Sequence, residues 1–308
     1  MRGIYRPIAR LNLRRPSAYL FQRPYSTEQP IPKIETVKMS YNLHKPPNGG
    51  GEKQEPIIFM HGLFGSKSNN RGISKMLAKD LNRSVYALDL RNHGESPHAY
   101  PHTYTAMAND VEHFIQDHNL QNPTLIGHSM GAKVAMSVAL RQPSLIQDII
   151  AVDNAPINAQ LGRQFANYVQ AMSRIESTSV LNTKEADEIL QSYEPLLEIR
   201  QFLFTNLLKP TPTNDRFRWR IPVKLLGNAL DEMASFPFTP GKDSFTKPAL
   251  FVRGTRSSYV ADETIPLIGE FFPRFELKDV EAGHWVISEN VTGFKKVCLE
   301  FFKREKET

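Results

Sequence analysis

Apolar and polar positions alternate between two rhythms along this chain. Short apolar or β-branched runs at 56–60, 85–90, 124–126, 149–152, 248–254 and 275–280 predict strands. Between them lie stripes at helical spacing. Ile73, Met76, Leu77 and Leu81 predict a helix over 71–82. Met107, Val111, Phe114 and Ile115 predict one over 103–118. Met130, Val134 and Val138, set among Ala132, Ala135 and Ala139, predict a third, and a closing helix spans 290–303. Strands that alternate with helices predict a mostly parallel sheet with helices on both faces. The alternation of Val37, Met39, Tyr41 and Leu43 adds an early antiparallel strand, and Asn48-Gly49-Gly50-Gly51 follows it as a turn or loop.

Residues 157–245 break this rhythm. Val169, Met172 and Ile175, then Ala186, Ile189 and Leu190, read as amphipathic helices; Phe202, Leu203, Leu207 and Leu208 follow, and a last helix lies near 223–233. No strand pattern interrupts them. They predict a helical lid inserted between two sheet strands, with the core divided into 26–156 and 246–308.

The strand ends carry the chemistry. Gly127-His128-Ser129-Met130-Gly131 fits G-x-S-x-G between a predicted strand and a predicted helix, the setting of a nucleophile elbow. The pentapeptide alone says little; the flanking elements give it weight. The strand at 56–60 runs into His61-Gly62-Leu63-Phe64-Gly65-Ser66. That loop and the amide after the serine are where oxyanion donors belong, which points to the N–H groups of Leu63 (Phe64 as the alternative) and Met130. His61 reads as structural. The last strand ends in Glu281-Ala282-Gly283-His284-Trp285, and His284 reads as the base. Two acids compete to orient it. Asp153 ends its strand in Val152-Asp153-Asn154-Ala155-Pro156 and is preferred; Asp262 sits in a polar stretch where a helix start accounts for it. Asp89, Arg91, His93 and Ser96 read as a hydrogen-bonded turn. His93, His98 and His102 lack an acidic partner and a clear helix, so no metal site is expected.

Composition changes the picture at one point. The net charge of +6 comes from 38 basic and 32 acidic residues, and the first 25 residues hold six arginines and no acid. Without them the body is neutral, so the charge gives no reason to expect nucleic acid. The stretch 1–25 reads as a mitochondrial presequence cleaved near Tyr25, and the protein is expected in the mitochondrial matrix. No apolar run is long enough for a transmembrane helix. The single cysteine, Cys298, excludes an internal disulfide and reads as a buried thiol on the closing helix.

Taken with the order serine, acid, histidine, these segments resemble the α/β-hydrolase superfamily. Within it they resemble the branch of abhydrolase-domain-containing protein eleven, related bacterial esterases and the yeast ethanol acetyltransferases. The residues that carry the resemblance are His61 to Ser66, Asp89 to Ser96 (with Asn92 where the first glycine stands), Gly127 to Gly131, Val152 to Pro156 and Gly283 to Trp285. The resemblance implies an eight-stranded sheet and a triad of Ser129, Asp153 and His284, the branch carrying its acid after the earlier strand. It implies acyl transfer from acetyl-CoA to an alcohol, with esterase and thioesterase side reactions. No resident cofactor is implied; acetyl-CoA is the expected co-substrate. A mitochondrial carboxylesterase or lipase-like hydrolase is the alternative.

Overall fold

A computed structural model describes residues 34–47, 55–159, 161–178 and 180–304. The expected presequence and its cleavage point lie outside the described residues. The strands are β1 (Tyr41–His44), β2 (Ile57–Met60), β3 (Val85–Leu88), β4 (Thr124–His128), β5 (Ile149–Val152), the short pair β6 (Leu207–Leu208) and β7 (Arg218–Trp219), then β8 (Ala249–Gly254) and β9 (Phe275–Val280). Seven of them form one sheet in the order β1-β3-β2-β4-β5-β8-β9. β1 is antiparallel to β3 and every other pairing is parallel. The order reverses between β2 and β4, so the C-terminal ends of these strands open onto a topological switch point, where such sheets place their sites.

The helices of the core are α1 (Arg71–Leu81), α2 (Tyr104–Asp117) and α3 (Met130–Arg141). The inserted segment holds α4 (Arg163–Ser177), α5 (Thr183–Gln191), α6 (Leu197–Phe204), α7 (Val223–Asn228) and α8 (Leu230–Ala234). The chain closes with α9 (Ile265–Phe271), α10 (Val286–Glu289) and α11 (Val291–Arg304). Strands β2, β4 and β5 are buried along their whole length, because helices cover both faces. One apolar cluster joins α2, α3 and the insertion; a second joins α1, α11 and the other sheet face. Cys298 lies fully buried in the second, and burial pushes its thiol pKa up. Among the described residues no helix is long and apolar enough to cross a membrane.

Four expectations differ in detail. Where eight strands were expected, the described residues place seven in the sheet. The alternating stretch 37–43 pairs only from Tyr41 onward, and the Val37 N–H is donated to the Asp110 carboxylate instead of to a neighbouring strand. The insertion does contain strands: β6 and β7 pair antiparallel. Two residues on each side are too few to show a period of two, so the pattern could not reveal them. The helix expected near 223–233 is two short helices that meet at Ala229.

The turn after β3 is held by many side-chain hydrogen bonds. Asp89 is fully buried and accepts hydrogen bonds from the Lys67 and Glu95 amides and from Lys67 Nζ at 2.5 Å. Arg91 is also fully buried and clasps Asp110 through two nitrogens, at 2.6 and 2.8 Å. Asn92 adopts φ 67°, a conformation that asparagine tolerates better than most residues, and its side chain pairs with the Ala99 backbone through both amide atoms. His93 Nε2 accepts from the Phe64 N–H, and His61 Nε2 accepts from the Leu90 N–H. Each ring therefore carries its proton on Nδ1, which donates to the Arg91 and Gly62 carbonyls respectively. The exposed His98 is bonded to the Arg220 carbonyl. Among the described residues no group of three or more potential metal ligands forms.

Burial holds these histidines neutral. It lowers the pKa of His61, takes that of His93 well below its ordinary value, and pushes those of His102 and His128 down to about 3 and about 4. At His102 and His128 the unfolded chain takes up protons near pH 6.5, while the folded chain does not until near pH 3–4. Stability is therefore retained above about pH 6.5 and lost as the pH falls below it, by up to about 1.4 kcal/mol per pH unit for each of these two. The expected result is a urea midpoint that is flat from pH 8 to 7 and falls steadily from pH 6.5 to 4.5, with a shallower fall in His102→Gln. A midpoint independent of pH across that range contradicts it.

Candidate active site

Ser129 sits between β4 and α3 with φ 52° and ψ −113°, outside the conformations side chains prefer. The two flanking glycines make this turn possible. A Cβ on Gly127 would lie 2.0 Å from the Gly131 carbonyl oxygen, and one on Gly131 would lie 2.6 Å from that of Met60. Without side chains at both places, the first turn of α3 presses against β4 and the end of β2. The Ser129 amide donates to Val152 O at 2.9 Å, and its carbonyl accepts from Asn154 Nδ2 at 3.1 Å. The nucleophile candidate is thus fixed from the end of β5 and the loop after it.

His284 arrives in the loop after β9. Its Nε2 lies 2.9 Å from Ser129 Oγ and its Nδ1 lies 2.7 Å from Asp153 Oδ2. A buried carboxylate can only accept, so Nδ1 carries the proton and the Nε2 lone pair faces the serine hydroxyl. The Asp153 side chain has no exposure and its backbone takes φ 50°. Besides the imidazole it accepts the Gly254 amide on Oδ1 and the Ser257 hydroxyl on Oδ2. The loop after β8 therefore supplies hydrogen bonds to the acid rather than the acid itself. Asp262 lies elsewhere: its side chain is 80 % exposed and pairs with Arg253, which also holds Asp279. Of the two candidate acids, only Asp153 meets His284.

Three groups that the sequence reading did not assign hold the imidazole. His128, the variable residue of the pentapeptide, donates from Nε2 to the His284 carbonyl at 2.8 Å. The Tyr259 ring stacks on His284 with centroids 4.1 Å apart and planes 24° apart. Ser257 ties the acid from behind. A G-x-S-x-G pattern leaves the second residue free, and Ser257 and Tyr259 lie in a polar loop, so no periodicity marks them.

The backbone amides after β2 narrow the oxyanion donors. The Phe64 N–H is donated to His93 and the Gly65 N–H to Gly62 O, so neither is free to bind an oxyanion. Among the described residues, the Leu63 and Met130 amides have no protein acceptor. Gly62 brings this loop close: a Cβ there would lie 3.3 Å from the Ser129 Cβ.

The inserted segment covers the site. Phe165 of α4 packs on Phe64 with ring centroids 6.1 Å apart, Phe202 of α6 packs on Trp285 at 4.7 Å, and Asn206 donates to the Phe64 carbonyl at 2.7 Å. Ser129 is left 8 % exposed. A cavity of about 820 Å³ lies beside it, between α6, α1 and the residues after His284, walled by Ile73, Met76, Ile199, Phe202 and Trp285 and backed by Gly62 and His128.

The model of the alpha/beta hydrolase fold family matches residues 55–291. A probable alcohol acetyltransferase of Saccharomyces cerevisiae is 42% identical over 83% of this chain and 80% of its own length. The sn-1-specific diacylglycerol lipase ABHD11 of Xenopus laevis is 34% identical over 92% of this chain and 90% of its own. Among solved structures, a marine microorganism esterase superposes with a TM-score of 0.79 at 32% identity, covering 86% of this chain and all of that one. The chain belongs to the alpha/beta hydrolase fold family, in the branch that holds these acetyltransferases and ABHD11 lipases, and is an enzyme of the esterase and acyltransferase kind.

Proposed function

We propose that the protein transfers an acyl group through an acyl-enzyme on Ser129, with acetyl-CoA as donor and an alcohol such as ethanol as acceptor. The observation that carries this reading is the His284 ring held between Ser129 Oγ at 2.9 Å and Asp153 Oδ2 at 2.7 Å. Ser129 Oγ attacks the thioester carbonyl while its proton passes to His284 Nε2. The tetrahedral oxyanion is held by the Leu63 and Met130 amides, each worth roughly 10²–10³ in rate for a site of this kind. The C–S bond then breaks, and the imidazolium, stabilised by Asp153, returns the proton to the leaving thiolate. In the second half His284 takes the proton of the alcohol, whose oxygen attacks the acyl carbon; the bond to Ser129 Oγ then breaks, the imidazolium returns the proton to Oγ, and the ester leaves. Water in place of the alcohol gives the free acid, so thioesterase and esterase reactions use the same groups.

Two features support transfer over hydrolysis: the near-complete burial of Ser129 beneath the insertion, which restricts water, and the likeness to a probable alcohol acetyltransferase. A carboxylesterase or lipase-like hydrolase is the second reading, favoured by the full-length likeness to the marine esterase.

Ser129→Ala is expected to remove acyl transfer and ester cleavage together, with losses of roughly 10⁴-fold or more in kcat. Asp153→Asn is expected to cost a similar order, whereas Asp262→Asn leaves kcat/KM within about twofold. A steady-state comparison of the three variants checks this, and equal losses for the two aspartates contradict the assignment. Acceptor choice is read by giving the purified protein acetyl-CoA with and without ethanol. Ethyl acetate that rises with ethanol is the expected product; acetate and free CoA alone establish the hydrolytic reading.

A further inference from the structure

Lys133 is a buried cation that the proposed chemistry does not use. It lies on α3, one helical turn after Ser129, and is 2% exposed. Its ammonium donates to three backbone carbonyls: Ile157 at 2.9 Å, Ser235 at 3.0 Å and Ala234 at 3.4 Å. Three N–H donors thus meet three acceptors. Among the described residues it has no carboxylate partner; the Tyr104 ring, 5.4 Å away, is its other neighbour. A buried lysine without a counter-charge is costly, and here burial draws its pKa down to about 8.

The acceptors explain the placement. Ile157 lies where the inserted segment leaves the sheet, and Ala234 and Ser235 lie where it begins to return. These two stretches are tied to each other by the Ala159 N–H on Ala234 O at 2.9 Å and the Phe236 N–H on Asn158 Oδ1 at 2.6 Å. Tyr104 adds a hydrogen bond from its hydroxyl to Met233 O at 2.9 Å. The insertion therefore has a closed neck, and Lys133 fastens both of its strands to the helix that begins at the nucleophile.

We propose that Lys133 is a positioning residue: a clasp that holds the lid down over Ser129 and so sets how the acyl-enzyme divides between alcohol and water. This rests on the acyl-enzyme reading above. The mechanical link is short, because the same insertion packs Phe165 and Asn206 on the loop that carries Leu63. Releasing the neck loosens that cover and admits water, while the hydrogen bonds of Ser129, His284 and Asp153, which come from the core, stay in place.

The test compares Lys133→Met, and Lys133→Gln should the first fail to fold, with the wild-type chain. Three readouts are taken: Ser129 labelling by a fluorophosphonate, the ratio of ethyl acetate to acetate from acetyl-CoA and ethanol, and backbone hydrogen exchange. Labelling is expected to stay within about threefold, the ester-to-acid ratio to fall roughly tenfold, the scale of one lost charge-assisted hydrogen bond, and exchange to quicken at 157–159 and 234–236 but not in β4 or β5. In an enzyme that only hydrolyses, the same release reads as a rise in KM for the ester with kcat retained. A lysine that only fills a polar hole would lower the melting temperature and leave product ratio, KM and neck exchange unchanged; that result overturns the proposal. Absence of labelling in the wild type refutes the acyl-enzyme reading alone, since neck exchange still judges the clasp.

Discussion

One imidazole has to satisfy two partners that belong to distant parts of the chain, and most of the fold can be understood as what makes that possible. Ser129 and Asp153 end adjacent parallel strands, so the sheet itself sets their separation. His284 comes from beyond β9, at the far edge of the sheet order. Its position is fixed by contacts on several sides: the carboxylate, the hydroxyl, the His128 ring beneath its carbonyl and the Tyr259 ring on its face. Geometry of this kind depends on local strain. Ser129 and Asp153 both hold positive φ values, and the dense hydrogen bonding around them maintains those conformations.

The core was legible in the sequence because both faces of its sheet are covered. A strand buried on both sides must be largely apolar, and the helices that bury it must carry stripes, so 56–60, 124–126 and 149–152 could be recognised from pattern alone. Ser129 and His284 were legible for a related reason. They stand at strand ends, and around Ser129 the two flanking glycines mark a backbone too crowded for side chains. Asp153 was harder to choose, since an acid after β5 and one after β8 look alike on paper. What separates them is Arg253, which occupies Asp262, and Ser257, which serves Asp153 from the loop where the other acid was sought.

What stayed hidden has a common cause. Ser257, His128 and Lys133 act through contacts across more than a hundred residues of chain, Tyr259 stacks on a ring from the next strand end, and no local period encodes those. The β6–β7 pair escaped because it is shorter than any repeat. The ends of the insertion were bracketed by the loss of strand pattern, yet the neck that joins them, with a buried ammonium at its centre, appears only in three dimensions. It links the covering segment to the nucleophile's own helix, so cover and chemistry share one support.

All of this turns on Ser129 being the atom that takes the acyl group. The direct measurement is peptide mass spectrometry of the wild-type enzyme, mixed briefly with acetyl-CoA without alcohol and quenched in acid during turnover. An acetyl group on the peptide containing Ser129, lost when ethanol is added before the quench, is the predicted result. A protein that turns over with that peptide unmodified, or with the acetyl group on another side chain, contradicts it.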